Sequence, residues 1–410
     1  MSDAGAIEEP PHSTLVHDAV GPDLPLREAF AALGIGIVSL LLAGVLPAVL
    51  GSLADEGRLS ASGIGLTATF EALSMGLSTA AAGILLPPRH LKWIAGAAAA
   101  MLAAADFATV HAAGTTVIVV RTVAGVPEGI MLWIAIGMIA RTATPERWAA
   151  IFFTALTASQ MVIALIFAQW VLPRFGADGG FLGLAVTALC GLALAPFVPS
   201  RYAALTNGEA AGGAPPPRGL FALFATLIFI AGSGTVGIYL QPLAHEAGLS
   251  ADVARAAVWI SLAAQIAGGA TATAISGHVR YFTVFVVATV LYVASWIVFL
   301  LHPPAWAFVS ANALGGFVGV LLAPFLVPMT IEADPSRRAA VLSGSTQVLA
   351  GALGPFAASF VVADDDVRGA IFLGTASLFA GLALIAVLHL TSTNGTNSLS
   401  DRSRDSRGAN

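Results

Sequence analysis

Leu53-Ala54-Asp55-Glu56-Gly57-Arg58-Leu59-Ser60-Ala61 returns 190 residues later as Leu243-Ala244-His245-Glu246-Ala247-Gly248-Leu249-Ser250-Ala251, with six of nine positions identical. At the same offset Gly44 faces Gly234, Gly125 faces Gly315 and Gly129 faces Gly319. Pro145, Arg147, Ala149 and Ala150 face Pro335, Arg337, Ala339 and Ala340, and Gly191-Leu192-Ala193-Leu194 faces Gly381-Leu382-Ala383-Leu384. An Ala/Gly/Leu-rich chain matches itself by accident, which explains the last set. It does not explain the loop and Pro-x-Arg matches, because those residues are scarce here. The chain reads as two copies of one unit.

Each unit is too apolar for a water-soluble core. Of 410 residues 57% are hydrophobic and 10% charged, where a soluble domain carries about 25% charged residues. Apolar runs fall near 29–51, 62–86, 93–112, 114–140, 147–172, 179–199, 218–243, 252–276, 281–301, 305–330, 338–362 and 368–391. About 20 apolar residues suffice for one helix to cross a bilayer. Runs without a closed sheet must cross as helices, since lipid offers the backbone no partner. The fold class predicted is therefore an all-α membrane protein of twelve transmembrane helices in two six-helix bundles. An even number of spans per unit sends both units into the membrane in the same direction, which is a parallel repeat.

Basic residues in short loops set the orientation. Thirteen of the eighteen lie on one side (Arg27, Arg89, Lys92, Arg141, Arg147, Arg201, Arg218, Arg280, Arg337, Arg338, Arg402, Arg404 and Arg407), and Arg58, Arg174, Arg255 and Arg368 lie on the other. This puts both termini and the 200–217 linker in the cytoplasm. The division is then a disordered tail over 1–28, a bundle over 29–199, the linker, a bundle over 218–391 and a disordered tail over 392–410. The first tail carries six acids against Arg27 and has no basic leader pattern, so the first span is expected to serve as the membrane address. Cys190 lies in an apolar run and reads as a small core residue. A lone cysteine allows no internal disulfide and no cysteine metal site.

Arg121-Thr122-Val123-Ala124-Gly125-Val126-Pro127 keeps the Arg and first Gly of a fourth-span motif, Arg-x-x-Gln-Gly-x-Gly. Gly83-Ile84-Leu85-Leu86-Pro87-Pro88-Arg89-His90-Leu91-Lys92 keeps the Gly, Leu and bases of a second-loop motif and lacks its Asp. Gly351-Ala352-Leu353-Gly354-Pro355 stands in the eleventh run. With six plus six parallel spans and a cytoplasmic central loop, residues 29–391 resemble the major facilitator superfamily. The resemblance implies alternating access by two bundles around a central cavity, with span four beside that cavity. The antiporter Gly-Pro signature is missing from span five, which favours uptake over drug efflux.

Four ionisable residues lie deep within spans: Glu71, Asp106, Arg121 and Glu128. A charge at a helix centre costs about 2.5–3.5 kcal/mol on insertion scales, so these four need partners. Counting 1.5 Å per residue, Asp106 and Arg121 lie roughly 9–10 Å deep and Glu71 about 13 Å. Arg121, Gly125 and Glu128 share one helix face. Arg121 is permanently charged and pairs most easily with Asp106 across the 110–114 hairpin. The remaining acids become candidates for proton coupling, and Arg121 and Glu128 are expected to face a polar central cavity. The offset of 190 sets Ser261, Trp296, Ala311 and Val318 opposite the four. Ionic work therefore belongs to the first unit. The second supplies neutral cavity-lining candidates: Tyr239, Gln241, Trp259, Gln265, Asn312 and Gln347.

No nucleotide-binding Gly-x4-Gly-Lys pattern, zinc-peptidase or serine-hydrolase pattern occurs, so no cofactor or metal is expected. The expectation is a monomeric inner-membrane carrier of a small molecule. It works by proton symport and has no nucleic-acid partner. The rivals are a membrane-embedded enzyme using Glu71, Arg121 and Glu128, and a non-transporting sensor on a transporter scaffold.

Overall fold

The computed structural model describes residues 25–203, 214–362 and 368–407. Most of the predicted first tail and of the linker, 1–24 and 204–213, lies outside the described residues. The described residues form helices α1 (Leu26–Asp55), α2 (Ala61–Leu85), α3 (Leu91–Thr109), α4 (Thr115–Ile139), α5 (Pro145–Ile166) and α6 (Leu172–Leu194). There follow α7 (Pro217–Gly234), α8 (Leu240–Glu246), α9 (Ala251–Ile275), α10 (Tyr281–Leu300), α11 (Ala305–Leu322), α12 (Leu326–Ala333), α13 (Arg338–Ala358) and α14 (Arg368–Arg407). The one extended pairing among them is an isolated antiparallel bridge between Arg89 and Arg201.

Helix boundaries repeat at the offset read from the sequence. Helix α2 begins at Ala61 and ends at Leu85, and α9 begins at Ala251 and ends at Ile275. Leu91 and Tyr281 open α3 and α10, and Thr115 and Ala305 open α4 and α11. Each pair differs by 190.

Ten helical stretches among the described residues are long and apolar enough to cross a membrane. One of them, Pro145–Phe197, is 53 residues long and holds two predicted spans. A π turn at Phe167–Val171 joins α5 to α6, and Gly176 breaks the helix with φ 59°. Glycine reaches that conformation without steric cost. Helix α13 is not among the ten; its Ser343, Gly344, Ser345 and Thr346 are buried against protein rather than offered to lipid.

Lipid gives helices no hydrophobic reason to associate, so close packing and interhelical hydrogen bonds hold them together. Helices α2 and α4 meet backbone to backbone. A Cβ on Gly125 would sit 2.5 Å from the Glu71 carbonyl oxygen and 2.9 Å from the Met75 nitrogen. Ser78 donates to Gly125 O at 3.1 Å and Thr79 to Gly129 O at 3.0 Å. The second unit repeats the contact between α9 and α11, where Ser261 donates to Asn312 O and Asn312 Nδ2 to Ala257 O at 2.9 Å. The two units meet along α2 against α13 and α5 against α9. Gly76 faces Leu349, Gly83 faces Leu342, Gly344 faces Ile136 and Gly269 faces Thr154.

Two expectations are corrected. Cys190 is exposed, because an apolar residue in a span can face lipid as readily as the core. The last helix runs on to Arg407, where the sequence predicts a disordered tail from 392. A formed helix extends at little cost once nucleated, so it can outrun its apolar stretch.

Candidate functional site

Arg121 lies 0% exposed within α4, and three acids surround it. Glu71 comes from α2, Asp106 from α3, and Glu128 from two turns further along α4. Arg121 donates through Nη1 to Asp106 Oδ1 at 2.6 Å and through Nε to Glu71 Oε1 at 3.0 Å. Its Nη2 reaches Glu71 Oε1 and, at 3.4 Å, Glu128 Oε1. The Phe181 ring of α6 covers the guanidinium, 5.7 Å from its carbon to the ring centroid, within cation–π range.

The local sequence explains the convergence. Gly125, between Arg121 and Glu128 on the same face, removes the side chain that would hold α2 away. The Glu71 backbone is pressed against Gly125, which brings its carboxylate beside both charged residues of α4. Asp106 is near the end of α3, and the 110–114 hairpin returns the chain beside it.

All four sequence-predicted residues are therefore brought together. The expected exposure to a central cavity is not seen: Glu71, Asp106 and Glu128 are at most 4% exposed. Small residues let α2, α3 and α4 close around the cluster, and Phe181 closes α6 over it.

The cluster is unbalanced. One guanidinium faces three carboxyl groups, and uncompensated buried charge is costly. Glu71 Oε2 is buried and has no hydrogen-bond donor among the described residues. Glu71 and Glu128 meet at one nitrogen, since Arg121 Nη2 reaches an oxygen of each. Chemically, the arrangement can hold a proton between two acids while a fixed cation holds the charge that remains. Among the described residues, no group of His, Cys, Asp and Glu could hold a metal ion.

The second-unit candidates fare differently. Asn312 ties α9 to α11, and Gln347 Nε2 bonds Ser343 O on its own helix at 3.4 Å. Tyr239, Trp259 and Gln265 are half-buried, and the side chain of Gln241 lies outside the described residues. Among the described residues, none of them is hydrogen-bonded to the cluster.

Sequence reasoning misses three polar devices. Arg58 ties its own loop, with Glu56, to the 110–114 hairpin through Ala112 O and to α6 through Asp178. Tyr202 anchors the chain after α6, and Arg337 crosses between units to Ala140 O and Thr142 O at 2.9 and 3.0 Å. Their signal in the sequence is weak, because each works through backbone carbonyls, which any sequence supplies.

No family model matches this chain, and no curated protein does. Solved structures do. The human organic anion transporter MFSD10 (TETRAN) superposes with a TM-score of 0.67 at 14% identity, over 92% of this chain and 100% of that one. FucP, a major facilitator superfamily transporter in the outward conformation, superposes with a TM-score of 0.67 at 13% identity, over 88% of this chain and 98% of that one. At such identities the likeness is one of architecture, and the chain has the fold of major facilitator superfamily transporters.

Proposed function

We propose that the chain is a secondary active transporter of a small organic molecule, coupled to protons through Glu71 and Glu128. It would have twelve spans in two six-helix bundles, both termini in the cytoplasm, and a place in the inner membrane as a monomer. The observation that carries the reading is the buried cluster of one guanidinium and three carboxyls in which Glu71 Oε2 lacks a donor among the described residues. A proton shared by Glu71 and Glu128 supplies that donor and removes part of the excess charge. Its release needs a state in which water reaches the pair.

Helix α2 links the two requirements. It carries Glu71 into the cluster, and it packs on α13 of the other unit through Gly76 and Gly83. Sliding at that seam would move Glu71 relative to Arg121. Proton occupancy and the arrangement of the units are then two readings of one equilibrium, each biasing the other.

One of the structural neighbours transports organic anions, which makes small organic acids the first class to assay. Uptake is the favoured direction. The test is counterflow in proteoliposomes across organic acids, aromatic acids and drugs, with an internal pH dye. Counterflow accompanied by proton entry is expected. Absence of counterflow across the panel, with turnover of a lipid-borne substrate instead, would establish the enzyme reading.

A further inference from the structure

The end of the first unit is sealed by its own chain. Pro196 and Pro199 stop α6, because proline cannot continue a helix and pushes the preceding residue to extended backbone. The chain then lies along the α2–α3 turn. Leu91 N donates to Ser200 O at 3.1 Å, Tyr202 N donates to Pro88 O at 2.9 Å, and Arg89 pairs with Arg201. The buried Tyr202 ring fills the groove behind, with its hydroxyl on Ile134 O at 2.8 Å. Arg141 stacks on that ring and donates to Ala203 O at 3.0 Å.

The matching turn of the second unit carries no such strand among the described residues. Adding 190 to Pro88 and Leu91, which hold the strand in the first unit, gives His278 and Tyr281. Both line a groove of about 710 Å³, bounded also by Arg280, Phe325, Pro328, Glu332, His389 and, from the first unit, Glu146. The sequence explains the difference. Pro196 and Pro199 correspond to Ala386 and His389, so nothing stops α14 and it runs past the groove. Tyr281 N and His278 O correspond to the two backbone groups that hold the strand in the first unit. They have no hydrogen-bond partner among the described residues.

We propose that this groove receives an extended segment of the same chain, beginning at Ser392, in the way the first unit receives 200–203. Three facts on the molecule select that occupant. His389 already lines the cavity, so the residues that follow are tethered beside it at high effective concentration. Ser392-Thr393-Asn394-Gly395-Thr396-Asn397-Ser398 are poor helix formers, each about 0.5–1 kcal/mol less favourable than Ala, so leaving the helix costs little. The lining carries a polar network, in which Tyr281 bonds Glu332 at 3.1 Å and His389 at 3.2 Å, and Ser, Thr and Asn can join such a network. The helix continued to Arg407 and the strand laid against 278–281 are two states of one segment.

The test is the maleimide-labelling rate of His278→Cys in a Cys190→Ser background, on purified protein in detergent. Truncation after Thr391 should speed labelling at least about fivefold, because reactivity follows the open fraction. A synthetic peptide of residues 391–400 added to the truncated chain should slow it again. A full-length chain with Asn394→Ala, Gly395→Ala and Asn397→Ala, which strengthens the helix, should also label fast, and it serves alone if the truncated chain does not fold. Equal rates in native and helix-strengthened chains overturn the proposal. So does a truncation effect that the helix-strengthened chain does not reproduce, since the continued helix would then merely shade the groove. None of these readouts depends on transport.

Discussion

Asp106 and Arg121, on either side of the 110–114 hairpin, close on each other at 2.6 Å with neither more than 2% exposed. The pair fastens α3 to α4, and Glu71 then adds α2 to the same guanidinium. One side chain thus joins three helices. Removing it leaves three acids facing one another in an apolar interior. Breaking a buried pair by deleting one partner costs about 3–5 kcal/mol. Arg121→Ala should therefore lose most of its folded yield and unfold well below the native chain in a detergent melting curve. Arg121→Lys keeps the charge but not the fork, and should fall between them. A native melting temperature for Arg121→Ala would show that the three acids are already neutral.

Glycine positions give a sharper contrast. A methyl at Gly125 or Gly129 meets the α2 backbone, so Gly125→Ala and Gly129→Ala must push α2 from α4. Overpacking of this kind costs about 1–3 kcal/mol, and at Gly125 it also draws Glu71 from Arg121. At Gly51, inside α1, nothing lies within 4 Å of the place a methyl would take. Gly51→Ala should be neutral or stabilise by up to about 1 kcal/mol. Melting curves of the three variants decide it, and equal losses at Gly51 and Gly125 would contradict the packing account.

Arg58 holds the opposite end of the first unit. Its guanidinium donates to Ala112 O at 2.9 and 2.7 Å and to Asp178 at 2.6 Å. Burial works against its charge, but hydrogen bonds with Asp178 and Glu56 outweigh it and raise the pKa above the ordinary arginine value. Charge-assisted bonds of this kind contribute more than neutral ones, and partial exposure reduces the gain. Arg58→Ala should cost about 1–2 kcal/mol and speed hydrogen exchange in the 110–114 hairpin. Unchanged exchange there would mean the hairpin is held by packing alone.

Much of this architecture is legible in the sequence, for physical reasons. Span positions follow from runs that only lipid can accommodate. The offset of 190 survives in loop residues such as Glu56 and Ser60, whose turn geometry both units need. The Arg121–Asp106 pair follows from depth alone, since permanent charge in lipid must find a partner. Burial of the cluster is not legible, because apolar composition cannot tell a helix face turned to lipid from one turned to protein. The exposure of Cys190 escapes the sequence for the same reason. Asn312 reads as a cavity residue, but its side chain bonds Ala257 O across a helix contact, which hydropathy does not distinguish.

Arg337 is a separate matter, since it acts between units. It is held at φ 63°, a region costly for residues with a Cβ, while Asp334 caps α13 through Ala339 N at 2.8 Å. The left-handed turn aims the guanidinium at Ala140 O and Thr142 O. Burial lowers the pKa of nearby Arg141 to about 10; Tyr202 opposes the shift and Arg337 adds to it. Arg337→Ala should loosen this end of the seam. Spin labels at Ala143→Cys and Pro335→Cys should then give a broader and longer distance distribution. Arg337→Gly relieves the backbone as well and should loosen the seam equally, because the lost bonds matter and not the turn. An unchanged distribution in both variants would remove Arg337 from the closure.

The decisive prediction concerns Glu128. In Glu128→Gln the side chain mimics a permanently protonated acid, so it keeps a donor in the cluster in which Glu71 Oε2 lacks one among the described residues. The cluster should stay folded, with one carboxylate fewer around Arg121. A group that cannot lose its proton cannot deliver it, so accumulation driven by a pH gradient should stop. Exchange of bound substrate needs no net proton release and should continue. Glu71→Gln differs, because Glu71 Oε1 receives two of the Arg121 donors and an amide accepts more weakly than a carboxylate. It should lower stability as well as coupling. Asp106→Asn should lower stability and leave coupling in place, since Asp106 serves as the paired counter-charge. The split between accumulation and exchange, measured in proteoliposomes with and without a pH gradient, separates a coupling acid from a structural one. If Glu71→Gln and Glu128→Gln both accumulate substrate normally against a gradient, the acids only hold α2, α3 and α4 together, and any coupling lies elsewhere.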